Sequence, residues 1–155
     1  MSKIYKIQSL LLLVGSIFAW TTVYTDFSRF YGLYGDITRV RDCIIPNPVT
    51  TPCFYGAFAF LASFFWSLSI LRSPIQKKFA SQKKLQVLLI GSTVFAWSNL
   101  ALEIYNFYFK SSVNQISCSG VPATSVFVTP CFVGSVLFLL SLLVSLVITL
   151  KKRGK

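Results

Sequence analysis

TPCFYG, at residues 51–56, is the stretch that decides the fold, because it recurs as TPCFVG at residues 129–134 and each copy opens a long apolar segment. The match extends outward from these copies. VGSIFAW at residues 14–20 corresponds to IGSTVFAW at residues 90–97 if Thr93 is an insertion, and Cys43 corresponds to Cys118. The sequence therefore predicts one unit written twice, residues 1–80 with an outer loop at 26–53 and residues 81–155 with an outer loop at 106–131.

The composition places this unit in a membrane. Hydrophobic residues make up 54% of the 155 residues and charged residues only 12%, whereas soluble domains carry about 25% charge. The apolar segments 7–24, 54–71, 85–105 and 132–150 approach the roughly 20 residues that a helix needs to cross a bilayer. The predicted fold is an all-α integral membrane protein with four transmembrane helices arranged as two parallel helix-loop-helix repeats.

Basic residues predict the orientation of the chain. Eleven Lys and Arg residues lie in the N-terminus, the segment between the second and third spans, and the C-terminal tail, which hold no acid. The two cysteine-bearing loops and the helix ends next to them hold four basic residues and all four acids, so their charges cancel. By the positive-inside rule both termini are cytoplasmic in a plasma or inner cell membrane. The net charge of +11 does not indicate nucleic-acid binding, because the basic residues lie at the ends of apolar segments.

Small residues one helical turn apart predict where the helices pack, since such residues let helices approach closely in lipid. They occur at corresponding positions in both halves of the chain. The predicted packing residues are Gly15, Ala19, Ser63, Ser67, Ser92, Ala96, Ser141 and Ser145.

Asp26 and Glu103 are the candidate paired acids, because each lies six residues after a tryptophan that the repeat matches, Trp20 and Trp97. Ionisable groups near hydrocarbon are costly and tend to be paired or functional. Two interpretations remain open. The acids form a duplicated site that faces basic residues of the outer loops, or they are surface acids at the level of the lipid headgroups.

The four cysteines all fall in the predicted outer loops or at the helix starts that follow them. Four cysteines allow three pairings, and the duplication favours one disulfide in each repeat, Cys43 with Cys53 and Cys118 with Cys131. Each would close a loop on the first turn of the following helix. A chain without histidine has no His-containing metal site and no imidazole base. We predict no catalytic residue and no metal site.

At Pro52 and Cys53 the chain resembles the membrane disulfide-forming quinone oxidoreductases and the related vitamin K epoxide reductases. The resemblance implies a four-helix bundle, cysteine pairs in outer loops, a reactive cysteine near a helix start and a quinone cofactor. Those families use a Cys-x-x-Cys pair, whereas this chain has Gly56 and Gly134 at the positions of the second cysteine.

Two functions follow as expectations. The first is a small non-catalytic accessory or scaffold protein with two disulfide-stapled extracytoplasmic loops and no cofactor. Its expected partners are the lipid bilayer and either a larger membrane protein or a second copy of the chain. The alternative is a membrane thiol-disulfide oxidoreductase linked to a quinone. A pore or carrier is disfavoured, because four helices with almost no polar lining leave no hydrated path unless the chain oligomerises.

Overall fold

A computed structural model of the chain describes residues 2–38, 45–109 and 125–153. Four α-helices account for most of these residues: α1 (Ser2–Tyr34), α2 (Pro52–Arg72), α3 (Ile75–Phe109) and α4 (Pro130–Arg153). Each contains a stretch that is long and apolar enough to cross a membrane, which indicates a multi-pass membrane protein. For the described residues, the prediction of an all-helical fold with four such helices is confirmed. The arrangement as two repeats stays a prediction.

The starts of α2 and α4 are built in the same way. A 3₁₀ turn, Pro48–Thr50 or Val126–Val128, precedes each helix, and its cap side chain, Asn47 or Ser125, accepts a hydrogen bond from a backbone N–H of the turn. Each helix then begins at a proline, whose fixed φ suits the first helical position and whose missing N–H would lack an intrahelical partner there anyway. The sequence Thr-Pro-Cys, at residues 51–53 and 129–131, therefore forms a turn-to-helix junction at both places.

The helices form a ring in the order α1, α2, α3, α4, because each packs on its two neighbours in that order. Across the ring, α2 and α4 also touch, through the stacked rings of Phe60 and Phe138, whose centroids lie 3.7 Å apart. Leu12, Leu85 and Leu89 belong to the same buried cluster. The bundle thus has a central axis, and Phe60 and Phe138 meet on it.

The outside of the bundle is apolar and its inside is comparatively polar. Large hydrophobic side chains on every helix are more than half exposed, whereas many Ser, Thr and Gln side chains are buried. A water-soluble bundle has the reverse pattern. Exposed members on the four helices are Ile7, Leu10, Ile17, Phe65, Val87, Val94, Val147 and Leu150.

Two helices are longer than the sequence predicts. Residues 26–34 of the predicted loop 26–53 are helical, since α1 ends only at Tyr34, where Gly35 at φ +67° bonds its N–H to the Tyr31 carbonyl oxygen over 2.8 Å. The predicted repeat boundary at 80/81 lies inside α3, because this helix begins at Ile75 and only two residues separate it from α2. Its basic first turns are rich in Lys, Gln and Ala, which favour helix.

Candidate functional site

A cavity of about 50 Å³ lies between all four helices at the end of the bundle where α2 and α4 begin. We call this end the cysteine end and the opposite one, where α3 begins with its lysines, the lysine end. The cavity walls are mostly apolar and include four phenylalanine rings. The lining residues are Phe18, Ala19, Thr22, Pro52, Cys53, Gly56, Phe60, Phe95, Ala96, Asn99, Pro130, Cys131, Gly134, Ser135 and Phe138.

The lining residues come almost entirely in corresponding pairs. Those on α1 and α3 differ by 77 in number, as in Thr22 and Asn99, and those on α2 and α4 differ by 78. The two helix-start cysteines, Cys53 and Cys131, therefore line one common cavity. Their predicted disulfide partners, Cys43 and Cys118, lie outside the described residues.

Asp26 and Glu103 are both buried, with 8% and 6% of their surface exposed. An Asp26 carboxylate oxygen lies 3.7 Å from a guanidinium nitrogen of Arg29, and Glu103 Oε2 lies 3.3 Å from the hydroxyl of Thr129. Both carboxyl groups are close enough to Cys53 to interact with it electrostatically. The structure therefore places both acids inside the bundle, one turn beyond the cavity residues on their helices.

The position of the acids has a structural explanation. Neither α2 nor α4 carries an acid in its first turn, although a helix N-terminus bears a partial positive charge. The N-cap residue Thr51 gives α2 no side-chain cap, because its hydroxyl donates to the Pro48 carbonyl oxygen over 2.7 Å. Glu103, from the neighbouring helix α3, lies at the α4 start, where the Thr129 hydroxyl donates to it, and Asp26 acts electrostatically on Cys53 in the first turn of α2. Glu103 is thus placed to compensate the dipole of α4, whose own first turn carries no acid.

The predicted packing residues all lie toward the bundle interior. Gly15 and all five serines are buried, and Ala19 and Ala96 are half-buried in the cavity wall. Three of these serine hydroxyls bond back to carbonyl oxygens of their own helices, which is the usual arrangement for Ser in a membrane helix. They are Ser67 to Phe64, Ser92 to Leu88 and Ser141 to Leu137, at 2.7, 2.9 and 2.8 Å.

A polar cluster near the lysine end was not predicted from the sequence. Gln82 Nε2 donates to Gln8 Oε1 over 3.0 Å and to the Ser145 hydroxyl over 2.9 Å, which links α3 to both α1 and α4. Gln8 is 1% exposed and Gln82 is fully buried. The sequence offered one signal for this cluster, Gln8 inside an apolar segment. Gln82 gave none, because it stands among lysines and resembles a surface residue.

These contacts correct the expectation of a bundle with almost no polar lining, because buried hydroxyl or amide groups occur on all four helices. Among the described residues, no three His, Cys, Asp or Glu side chains cluster as metal ligands would. The cavity offers aromatic walls and two cysteine sulfurs. The chain matches no protein-family model, no curated protein and no solved structure.

Proposed function

We propose that the chain is a small non-catalytic membrane protein, an accessory or scaffold built of two helix-loop-helix repeats around a pseudo-twofold axis. Its loops at the cysteine end are stapled by the disulfides Cys43–Cys53 and Cys118–Cys131. One observation carries the proposal: the α2 and α4 starts have the same 3₁₀ turn, followed by the same threonine and proline. An acid from a neighbouring helix also acts on each start, Asp26 electrostatically on Cys53 and Glu103 through the Thr129 hydroxyl. Structural parts are duplicated together with the unit that they hold.

The burial pattern supports the two repeats. Buried residues of α1 recur in α3 at an offset of 77, as Leu12 with Leu89 and Asp26 with Glu103. The contact between Phe60 and Phe138, which correspond at an offset of 78, is what a twofold axis between α2 and α4 requires. A partner or the lipid would then meet two similar faces of the bundle.

The staple proposal is tested by mapping the disulfides and measuring their reduction potentials. Each closed loop stabilises the fold by about 3 kcal/mol in the chain-entropy model. We expect Cys43→Ser and Cys53→Ser to lower stability equally, and the double variant to be no worse than either single variant, because each change opens the same loop. Structural disulfides have potentials below about −300 mV. A pairing of Cys53 with Cys131, or one pair with a clearly higher potential, contradicts the proposal.

The orientation belongs to the same proposal, with the lysine end and both termini in the cytoplasm. Its support is the charge distribution: Lys77, Lys83 and Lys84 are exposed at the lysine end, and the acids lie in the loops and helix ends opposite. Basic residues next to a span favour the cytoplasmic side.

The alternative, a thiol-disulfide oxidoreductase linked to a quinone, is favoured by a different observation. Both helix-start cysteines line one cavity whose walls include four phenylalanine rings, which would contact a flat apolar ring if the cavity of about 50 Å³ widened to admit one. In this reaction two thiols give up two electrons and two protons, form a disulfide, and reduce the quinone to quinol. Quinol formation by the purified protein with a dithiol, lost in Cys53→Ser and Cys131→Ser, would establish the enzyme and overturn the scaffold.

A further inference from the structure

Polar side chains follow the axis of the bundle on the faces of α2 and α4 that meet there. Ser63 and Ser67 on α2, and Ser141 and Ser145 on α4, lie one turn apart and are at most 3% exposed. They follow Phe60 and Phe138 on the same helix faces, toward the lysine end. Gln8 and Gln82 continue this series, since Gln82 bonds to Ser145.

On the cysteine side of the stacked rings lies the cavity, which is mostly apolar but has room for internal water and one buried hydroxyl without a partner among the described residues. A water molecule needs about 10–15 Å³ of space and two to four polar partners, and the cavity has about 50 Å³. Ser135 lines it, is 1% exposed, and its hydroxyl has no hydrogen-bond partner in the described part of the chain. Thr22 and Asn99 add further oxygen acceptors to the lining.

On the lysine side the polar cluster has unused hydrogen-bonding groups of both kinds. Gln8 Nε2 is a donor and Gln82 Oε1 an acceptor, and neither has a partner within residues 2–38, 45–109 and 125–153. The hydroxyls of Ser9 and Ser63 likewise have no hydrogen-bond partner among these residues. Leaving such a group unpaired in a buried site is unfavourable, because it loses its hydrogen bonds to water without replacing them. Water can accept from the amide nitrogen and donate to the amide oxygen, so it fits this cluster.

Between the two polar regions stands the Phe60–Phe138 stack, with an interplanar angle of 13°. The rings are 1% and 2% exposed and close the axis with apolar surface. Gly15 makes room for them, because a Cβ at this position would collide with the Phe60 ring. An apolar constriction between wetted segments blocks water by dewetting, as in hydrophobic gates of channels.

We propose that the axis of this bundle is a water path closed at one point, the stacked rings of Phe60 and Phe138. Water occupies the cavity at the cysteine end and the Gln8–Gln82 cluster near the lysine end, and the stack separates the two. The closed path does not depend on how the cysteines pair, so it can be tested apart from the staple proposal.

The test measures osmotic water permeability of liposomes that contain the full-length protein, by the rate of shrinkage after a rise in external osmolarity. Phe60→Ala and Phe138→Ala each remove one ring of the stack. Phe65→Ala removes the same atoms from the same helix as Phe60→Ala, but at a side chain that is 60% exposed on the outer face. We expect both stack variants to raise permeability severalfold over protein-free liposomes, and the wild type and Phe65→Ala to leave it unchanged. Equal permeability in stack and control variants overturns the proposal.

A second measurement needs no variant of the stack and decides the question if those variants do not fold. In the wild-type protein in nanodiscs, nuclear Overhauser contacts with water are recorded at the side-chain amide protons of Gln8, Gln82 and Asn99. We expect contacts at all three, and loss of the Gln8 contact in Gln82→Leu, where the acceptor for a bridging water is gone. If these side-chain amide protons neither contact water nor exchange with it in the wild type, the axis is dry and the path is refuted.

Discussion

Gly15→Ala is the most direct probe of how the bundle axis is packed, and Gly91→Ala is its matched control. Both glycines lie inside long helices, but Gly15 is buried, whereas Gly91 is exposed and, at the constant offset of 77, corresponds to Val14 and not to Gly15. A Cβ on Gly15 would stand 2.7 Å from Cδ1 and 3.1 Å from Cζ of the Phe60 ring, whereas a Cβ on Gly91 meets nothing within 4 Å. Only the first change forces the stacked rings to move.

The magnitude follows from two opposing effects. Overpacking a well-packed core costs about 1–3 kcal/mol. Replacing glycine by alanine inside a helix gains about 0.5–1 kcal/mol, and this gain is the same at both sites. We therefore expect Gly91→Ala to be slightly more stable than the wild type, and Gly15→Ala to be less stable than Gly91→Ala by about 1–3 kcal/mol.

The assay is reversible unfolding in mixed micelles with increasing sodium dodecyl sulfate, followed by circular dichroism. A third variant, Gly15→Ala with Phe60→Leu, locates the cause, because leucine is smaller than the ring and leaves room for the added methyl group. We expect this variant to recover part of the loss. Equal stabilities of Gly15→Ala and Gly91→Ala would refute the packing argument, and so would a loss in Gly15→Ala that Phe60→Leu does not relieve.

Three further changes test other parts of the structure. An impermeant thiol reagent should label Thr50→Cys but not Lys84→Cys in intact cells lacking reactive native thiols; both positions are exposed, and the reverse result would invert the orientation. Glu103→Gln should lower the free energy of unfolding by about 0.3–1 kcal/mol, because it removes the charge at the α4 start, whereas unchanged stability would mean that the acid does not compensate the dipole. Gln82→Leu should cost about 1–3 kcal/mol by stranding its partners, and adding Gln8→Leu should recover part of this; strict additivity of the two changes would show that the amides are not coupled.

The number and type of the helices could be predicted from the sequence, because four apolar segments of crossing length leave few alternatives. The helix ends could not. The stretch 26–34 mixes aromatic and charged residues, and the stretch 75–84 is basic, so neither looks like a membrane span although both are helical. Hydropathy finds the part of a helix that lies in hydrocarbon and not the turns that extend beyond it.

The site was predicted in part. The correspondence of Asp26 and Glu103 follows from the sequence, but their burial does not, since an acid near a helix end can equally face the headgroups. The sequence match also put an insertion at Thr93. The buried residues keep a constant offset of 77, as in Leu12 with Leu89 and Ser16 with Thr93. A helix turns about 100° per residue, so an inserted residue would rotate every later side chain off its face.

Unequal helix lengths have a consequence for the surrounding lipid. At a rise of about 1.5 Å per residue, α2 with its 21 residues spans about 31 Å, whereas α3 with 35 residues spans about 52 Å. The hydrocarbon core of a bilayer is about 30 Å thick. In the proposed membrane arrangement the shortest helix therefore sets the hydrophobic thickness of the protein, and the longer ones overhang into the headgroups. In a thicker bilayer the ends of α2 would be drawn into hydrocarbon, so such a membrane would have to thin around the protein, and the mismatch would favour thinner membranes.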